Sequence, residues 1–75
     1  MAKKLTKEKL IATLVCIRKE ADLTQQQLAE KLDRPQSYVS KYENGERNLD
    51  FIEVIEVLEA IGVNPIEKIK EFYGS

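Results

Sequence analysis

Four polar side chains in one short stretch carry most of the chemistry this sequence offers. Gln36, Ser37, Ser40 and Lys41 recur at helical spacing between Pro35 and the pair Asn44-Gly45. Gln can pair bidentately with adenine N7 and N6, Lys can donate to guanine O6 and N7, and a serine hydroxyl serves either partner. Such a stripe adds little stability to a helix this short, but it suits the recognition of base edges. Catalysis has far less to work with. There is no histidine and a single cysteine, which excludes Ser-His and Cys-His nucleophile arrangements. The thirteen carboxylates are scattered at solvated spacings, and there is no glycine-rich phosphate loop. The sequence therefore predicts no enzyme, no metal site and no cofactor.

The stripe needs helices to position it, and punctuation along the chain predicts five. The first runs from about Thr6 to Ala21, with Leu10, Leu14, Ile17 and Ala21 on one face. Asp22 ends it. The second begins at Thr24, where Thr24-Gln25-Gln26-Gln27 forms a capping box, and stops near Leu32. Leu28, Ala29 and Leu32 make its apolar face. Asp33-Arg34-Pro35 is a turn. The third spans Gln36 to Tyr42 or Glu43, with Val39 and Tyr42 pointing inward and Asn44-Gly45 closing it. A second capping box, Asp50 to Glu53, opens the fourth. Its inner stripe is expected to be Phe51, Val54, Ile55, Leu58 and Ile61, and Gly62 ends it. The fifth starts at Asn64 with Pro65 in its first turn, runs to about Phe72, and is anchored by Ile66 and Ile69.

Seventy-five residues make one domain, 1–75. The 43% hydrophobic and 33% charged residues argue for a globular chain rather than a disordered one. No apolar segment suits a signal peptide or a membrane span, and the lone Cys16, flanked by Val15 and Ile17, reads as a small apolar helix residue. A cytoplasmic location is the expectation. Net charge is −1, yet residues 1–49 carry +3 and residues 50–75 carry −4. A basic front and an acidic back can orient a molecule on a polyanion, although ordinary surface solvation gives the same pattern. Lys3, Lys4, Lys7 and Lys9 form either a basic arm over residues 1–5 and the adjoining turn that adds phosphate contacts, or a solvated helix start.

Residues 23–45 bring these parts together: Leu23-Thr24-Gln25-x-x-Leu28-Ala29-Glu30-Lys31-Leu32, then Ser37-Tyr38-Val39-Ser40-Lys41-Tyr42-Glu43-Asn44-Gly45. With Arg47 and the run Ala60-Ile61-Gly62-Val63, the sequence resembles the Cro/cI/XRE family of helix-turn-helix regulators over about residues 10–70. The resemblance implies an all-α, five-helix, lambda-repressor-like domain that binds double-stranded DNA and regulates transcription, with repression the expected outcome. Residues 24–32 would be the supporting helix and 36–43 the recognition helix. Gln36, Ser37 and Lys41 would face bases. Gln25, Asn44 and Arg47 would contact the DNA backbone, joined by Ser40 and by Tyr38, which could bond a phosphate or touch a thymine methyl. Arg18 and Glu43 would form a buried ion pair tying the first helix to the third. Two departures stand out. Asp33 replaces the usual turn glycine, and Pro35 replaces the usual Ser/Thr cap, so Arg34 becomes the N-cap or the third helix starts one residue early.

The resemblance also implies a homodimer on a palindromic operator, with its contact through the C-terminal helices. Ile52 and Val57 lie off the expected inner stripe of the fourth helix. With Ile66, Ile69, Phe72 or Tyr73 they would form an isologous seam, unless the fifth helix covers them within one subunit. No small-molecule effector is evident. The rival reading is a protein-interaction module of the same fold, antitoxin-like or coactivator-like, which the acidic C-terminal half would serve.

Overall fold

A computed structural model describes residues 5–74, with the side chains of residues 5–71. Five helices follow in order: α1 Lys7–Glu20, α2 Gln25–Lys31, α3 Gln36–Glu43, α4 Phe51–Ile61 and α5 Pro65–Gly74. No strand occurs among the described residues. The chain thus has the all-α, five-helix architecture expected from its punctuation. Lys3 and Lys4 lie outside the described residues.

Side-chain chemistry sets most of the helix starts. The Thr6 hydroxyl accepts from the Lys9 amide at 3.1 Å. Thr24 accepts from the Gln27 amide while Gln27 Oε1 accepts from Thr24, at 3.0 and 2.9 Å. Asp50 and Glu53 repeat the exchange at 2.7 and 3.0 Å. Asn64 Oδ1 accepts from Ile66 and Glu67 at the head of α5. Each cap satisfies amides that have no carbonyl a turn earlier. The exception is α3. Its N-cap is Pro35, with no side-chain hydrogen bond. The expected shift of the cap to Arg34, or of the start by one residue, does not occur. Proline's fixed φ and extended ψ are already those of an N-cap residue.

One turn geometry ends the first four helices. Leu23, Arg34, Glu46 and Val63 donate to the carbonyls of Arg18, Ala29, Lys41 and Leu58. The residue before each donor adopts positive φ: Asp22 at 59°, Asp33 at 56°, Gly45 at 80° and Gly62 at 103°. This is the Schellman closure, which needs a left-handed residue at its corner. Glycine fills it without strain. Asp22 and Asp33 fill it at some cost, and place a negative charge beside exposed helix carbonyls.

The core draws on α1 to α4. Leu14, Leu28, Val39, Tyr42, Val57 and Leu58 are fully buried, and Ile17, Ala29, Tyr38 and Val54 nearly so. Ala29 is small where α3 crosses α2, so the two backbones can approach closely. The inner stripe of α4 differs from the expected one. Val57 has no exposed surface, whereas Phe51 is 68% and Ile52 67% exposed. Val57 therefore belongs to the monomer core and cannot serve a dimer seam. Ile66, expected as an anchor of α5, is 69% exposed, and Ile69 is half-buried. α4 packs against both α1 and α2, which places Val54, Val57, Leu58 and Ile61 on its inner side, whereas Phe51, close to the helical line of Leu58, lies in the first turn and stays exposed.

Two stability outcomes follow. Val57→Ala should cost about 1–3 kcal/mol, and Phe51→Ala less than about 0.5 kcal/mol, in urea unfolding at high dilution. The reverse order would place α4 in the other register. Asp33→Gly should stabilise the chain by about 0.5–1 kcal/mol in the same assay, because glycine removes both the strain and the misplaced charge.

Candidate functional site

The site begins with a buried ion pair. Arg18 Nε donates to Glu43 Oε2 at 2.8 Å and Nη2 donates to Glu43 Oε1 at 3.1 Å. Nη1 donates to the Leu23 carbonyl at 2.8 Å, and Gln25 Nε2 completes the cluster by donating to Glu43 Oε1 at 2.9 Å. The two charged side chains are 9% and 5% exposed. The hydrogen bond to Glu43, more than the opposing desolvation, holds the Arg18 pKa above its ordinary value. Four segments thus meet at one ion pair: α1, the turn after it, the head of α2 and the last residue of α3.

With its rear fixed, α3 presents its other face. Gln36, Ser37 and Lys41 are exposed, as is Asn44 just beyond the helix. Ser40 is half-buried, and its hydroxyl donates to the Ser37 carbonyl at 3.3 Å. The stripe is not covered by other segments of the described chain. At the amino end of α3 the uncapped amides and the helix dipole add positive potential. Lys7 Nζ donates to the Gly45 carbonyl at 3.1 Å, pinning the start of α1 to the turn after α3. Amide, hydroxyl and ammonium groups on one convex surface can exchange water for nucleobases and phosphates.

Three of the expected backbone-contact residues sit differently from the stripe. Gln25 is half-buried and spends one Nε2 proton on Glu43, leaving the other. Arg47 is ion-paired with Glu53, its side chain 37% exposed. Tyr38 is only 8% exposed. Its ring meets Tyr42 edge-on at 5.8 Å and carries the guanidinium groups of Arg34 and Arg47 at 4.7 and 4.8 Å from its centroid. Burial, followed by the nearby Glu53 charge, raises the Tyr38 pKa, so the phenol stays neutral. The thymine-methyl role expected of Tyr38 does not fit a ring whose surroundings are already filled. The sequence offers Arg34 as a turn residue or as the N-cap of the third helix, with no contact to an aromatic ring. Arg34 lies before the Pro35 cap and outside α3, so helical spacing does not mark its contact with Tyr38.

Among the expected seam residues, Ile52 and Ile66 are exposed and Ile69 is half-buried, while Phe51 and Ile55, expected on the inner stripe of α4, are exposed and half-buried. The side chains of Phe72 and Tyr73 lie outside the described residues. No group of metal-ligating side chains occurs among the described residues, and no helix there is long and apolar enough to cross a membrane.

The helix-turn-helix family profile matches residues 17–68. Among solved structures, the chain is similar to an XRE-family like protein from Pseudomonas syringae pv. tomato str. DC3000. The two are 41% identical over 88% of this chain and 80% of that one, with a TM-score of 0.85. It is also similar to the clp gene regulator ClgR from Corynebacterium glutamicum, 26% identical over 93% of this chain and 90% of the other, with a TM-score of 0.76. No curated protein matches the chain.

Removing one member of the ion pair strands the other. Arg18→Met should cost about 3–5 kcal/mol in denaturant unfolding, whereas the double variant Arg18→Met, Glu43→Leu should recover much of that loss. Equal losses in both variants would mean that the pair, rather than an orphaned charge, sets the penalty.

Proposed function

The chain belongs to the helix-turn-helix family, among its XRE-type regulators, and from that premise we propose that it is a sequence-specific transcription regulator that inserts α3 into the DNA major groove. The observation that carries this reading is the combination on α3. Gln36, Ser37 and Lys41 are exposed on a helix whose opposite face holds the fully buried Val39 and Tyr42. A helix of this length is not stable alone. Here it is held from behind, while its outward groups remain uncommitted. Gln36, Ser37 and Lys41 read bases. Ser40, Asn44 and Arg47 contact phosphates, and Gln25 does so with its second amide proton. The similarity to a named gene regulator supports the same assignment.

The working unit in this reading is a cytoplasmic homodimer on a palindromic operator. Its seam is the exposed apolar surface of Phe51, Ile52 and Ile66, flanked by Ile55 and Ile69. Phe51 and Ile52 on α4 and Ile66 on α5 are large apolar side chains left exposed on a chain that is 33% charged, and this exposure supports a contact surface on these two helices. That surface is acidic at its margins and lies in the part of the chain that DNA would repel, so it leaves the basic front free. A dimer covering an operator excludes other proteins from it, and repression is the regulatory act we assign. An interaction module of the same fold would use the same apolar surface but would have no use for the stripe on α3.

Selection from a random duplex pool tests the reading. The chain should enrich a palindrome whose half-site centres lie about 34–36 Å apart. Lys41→Ala and Gln36→Ala should each relax preference at one half-site position by about 1–3 kcal/mol, with folding unchanged. Absence of binding to any duplex at low salt would favour the interaction module. Enrichment of a site without twofold symmetry would remove the dimer and keep the reader.

A further inference from the structure

Arg34, Tyr38 and Arg47 form a cluster that the base-reading stripe does not use. Arg34 precedes α3 and Arg47 follows it, yet both guanidinium groups reach the same ring, at 4.7 and 4.8 Å from its centroid. The ring is itself fixed. Tyr38 is 8% exposed and abuts the fully buried Tyr42 edge-on at 5.8 Å. A π face attracts a guanidinium, and an arginine stacked on an aromatic loses less freedom when it later binds a planar or tetrahedral anion.

Only one of the two guanidinium groups on this ring is held in an ion pair. Glu53 pairs with Arg47, although a 37% exposed side chain keeps that guanidinium within reach of solvent. Arg34 is exposed and has no ion pair among the described residues. Glu56 and Glu59 border the hollow beside it, but the guanidinium lies over the ring rather than on either carboxylate. Arg47 already has Glu53 as its anion, so Arg34 is the guanidinium on this ring that gains most when a further anion joins it.

We infer that Arg34 is a DNA-backbone residue, and that the Tyr38 ring is the platform holding Arg34 and Arg47 ready for phosphodiesters at the two ends of α3. This rests on the proposed DNA-binding reading. It moves Tyr38 from a DNA ligand to a positioning residue. It also adds a phosphate contact at the amino end of α3, where Pro35 supplies no side-chain group.

Fluorescence anisotropy tests this on two labelled duplexes of about 20 base pairs, one enriched from the random pool and one of mixed sequence, between about 50 and 200 mM salt. Arg34→Ala should weaken both duplexes alike, by about tenfold per contact. It should also lower the slope of log K against log salt by about 1 per subunit. Tyr38→Phe keeps the ring face and removes a hydroxyl that lies close to Arg47, so it should weaken binding less than Arg34→Ala does and leave the salt slope near that of the parent. Tyr38→Leu should weaken binding, but should add little to an Arg34→Ala, Arg47→Ala background. Thermal melts check that each variant folds. If Tyr38→Leu does not fold, Tyr38→Phe still separates platform from ligand. An unchanged salt slope in Arg34→Ala, or a Tyr38→Phe loss as large as that of Arg34→Ala, overturns the inference while leaving the DNA reading in place. If the parent chain binds neither duplex at low salt, both fall.

Discussion

Everything the outward face of α3 can do depends on where Glu43 is held. That carboxylate accepts two bonds from Arg18 and one from Gln25, while the remaining arm of Arg18 reaches the Leu23 carbonyl. Taking two charges out of water is expensive, and a well-packed apolar pair often gives equal or better stability. The geometry is what an apolar pair would lack. A bidentate guanidinium fixes distance and plane together, so the carboxyl end of α3 has one position relative to α1 and α2. The left-handed turn at Asp22 is part of the same device. It returns the chain so that the Leu23 amide meets the Arg18 carbonyl at 3.2 Å while the Leu23 carbonyl meets the Arg18 side chain.

That anchoring explains how a reading helix can do without a side-chain cap. α3 has eight residues and begins at Pro35 with no hydrogen-bonded cap. Intrinsic propensity cannot sustain such a segment. Val39 and Tyr42 bury its inner face, Arg18 fixes its end, and the Asp33 corner sets its entry angle by returning the Arg34 amide to the Ala29 carbonyl at 2.9 Å. Its uncapped amides remain free to attract anions. A strong acidic cap there would stabilise the helix and repel a polyanion at the same place.

The architecture was legible in the sequence because independent local signals agreed. Thr24 with Gln27 and Asp50 with Glu53 mark helix starts by capping chemistry alone, and Gly45 and Gly62 mark ends by backbone freedom. The rotation of α4 was not legible. Phe51, Ile52, Val54, Ile55, Val57, Leu58 and Ile61 cover well over half its circumference, so a periodicity of 3.6 cannot select the inner face. Contact with α1 and α2 selects it, and that contact is long-range. The role of Tyr38 was hidden for a related reason. It lies at the border between the polar stripe and the core, where a shift of tens of degrees separates a groove-facing ring from a buried one. Arg34 was hidden because an arginine in a turn looks the same whether it is solvated or stacked.

On the proposed reading, folding and base recognition fall on separate residues of α3. The buried set, Val39 and Tyr42, makes no use of the exterior, and the exposed set, Gln36, Ser37 and Lys41, makes no side-chain hydrogen bond within the described chain. Surface substitutions away from caps and buried networks seldom change stability by more than about 0.5 kcal/mol. These three positions can therefore change with little penalty to the fold. Arg18, Glu43 and Tyr38 have no such freedom. They determine where the reading side chains stand, so a change there alters the aim of all of them at once. On the proposed reading, specificity would rest on the residues that fold the chain least, and the accuracy of their placement on a buried charge pair that an apolar pair could match in stability but not in geometry.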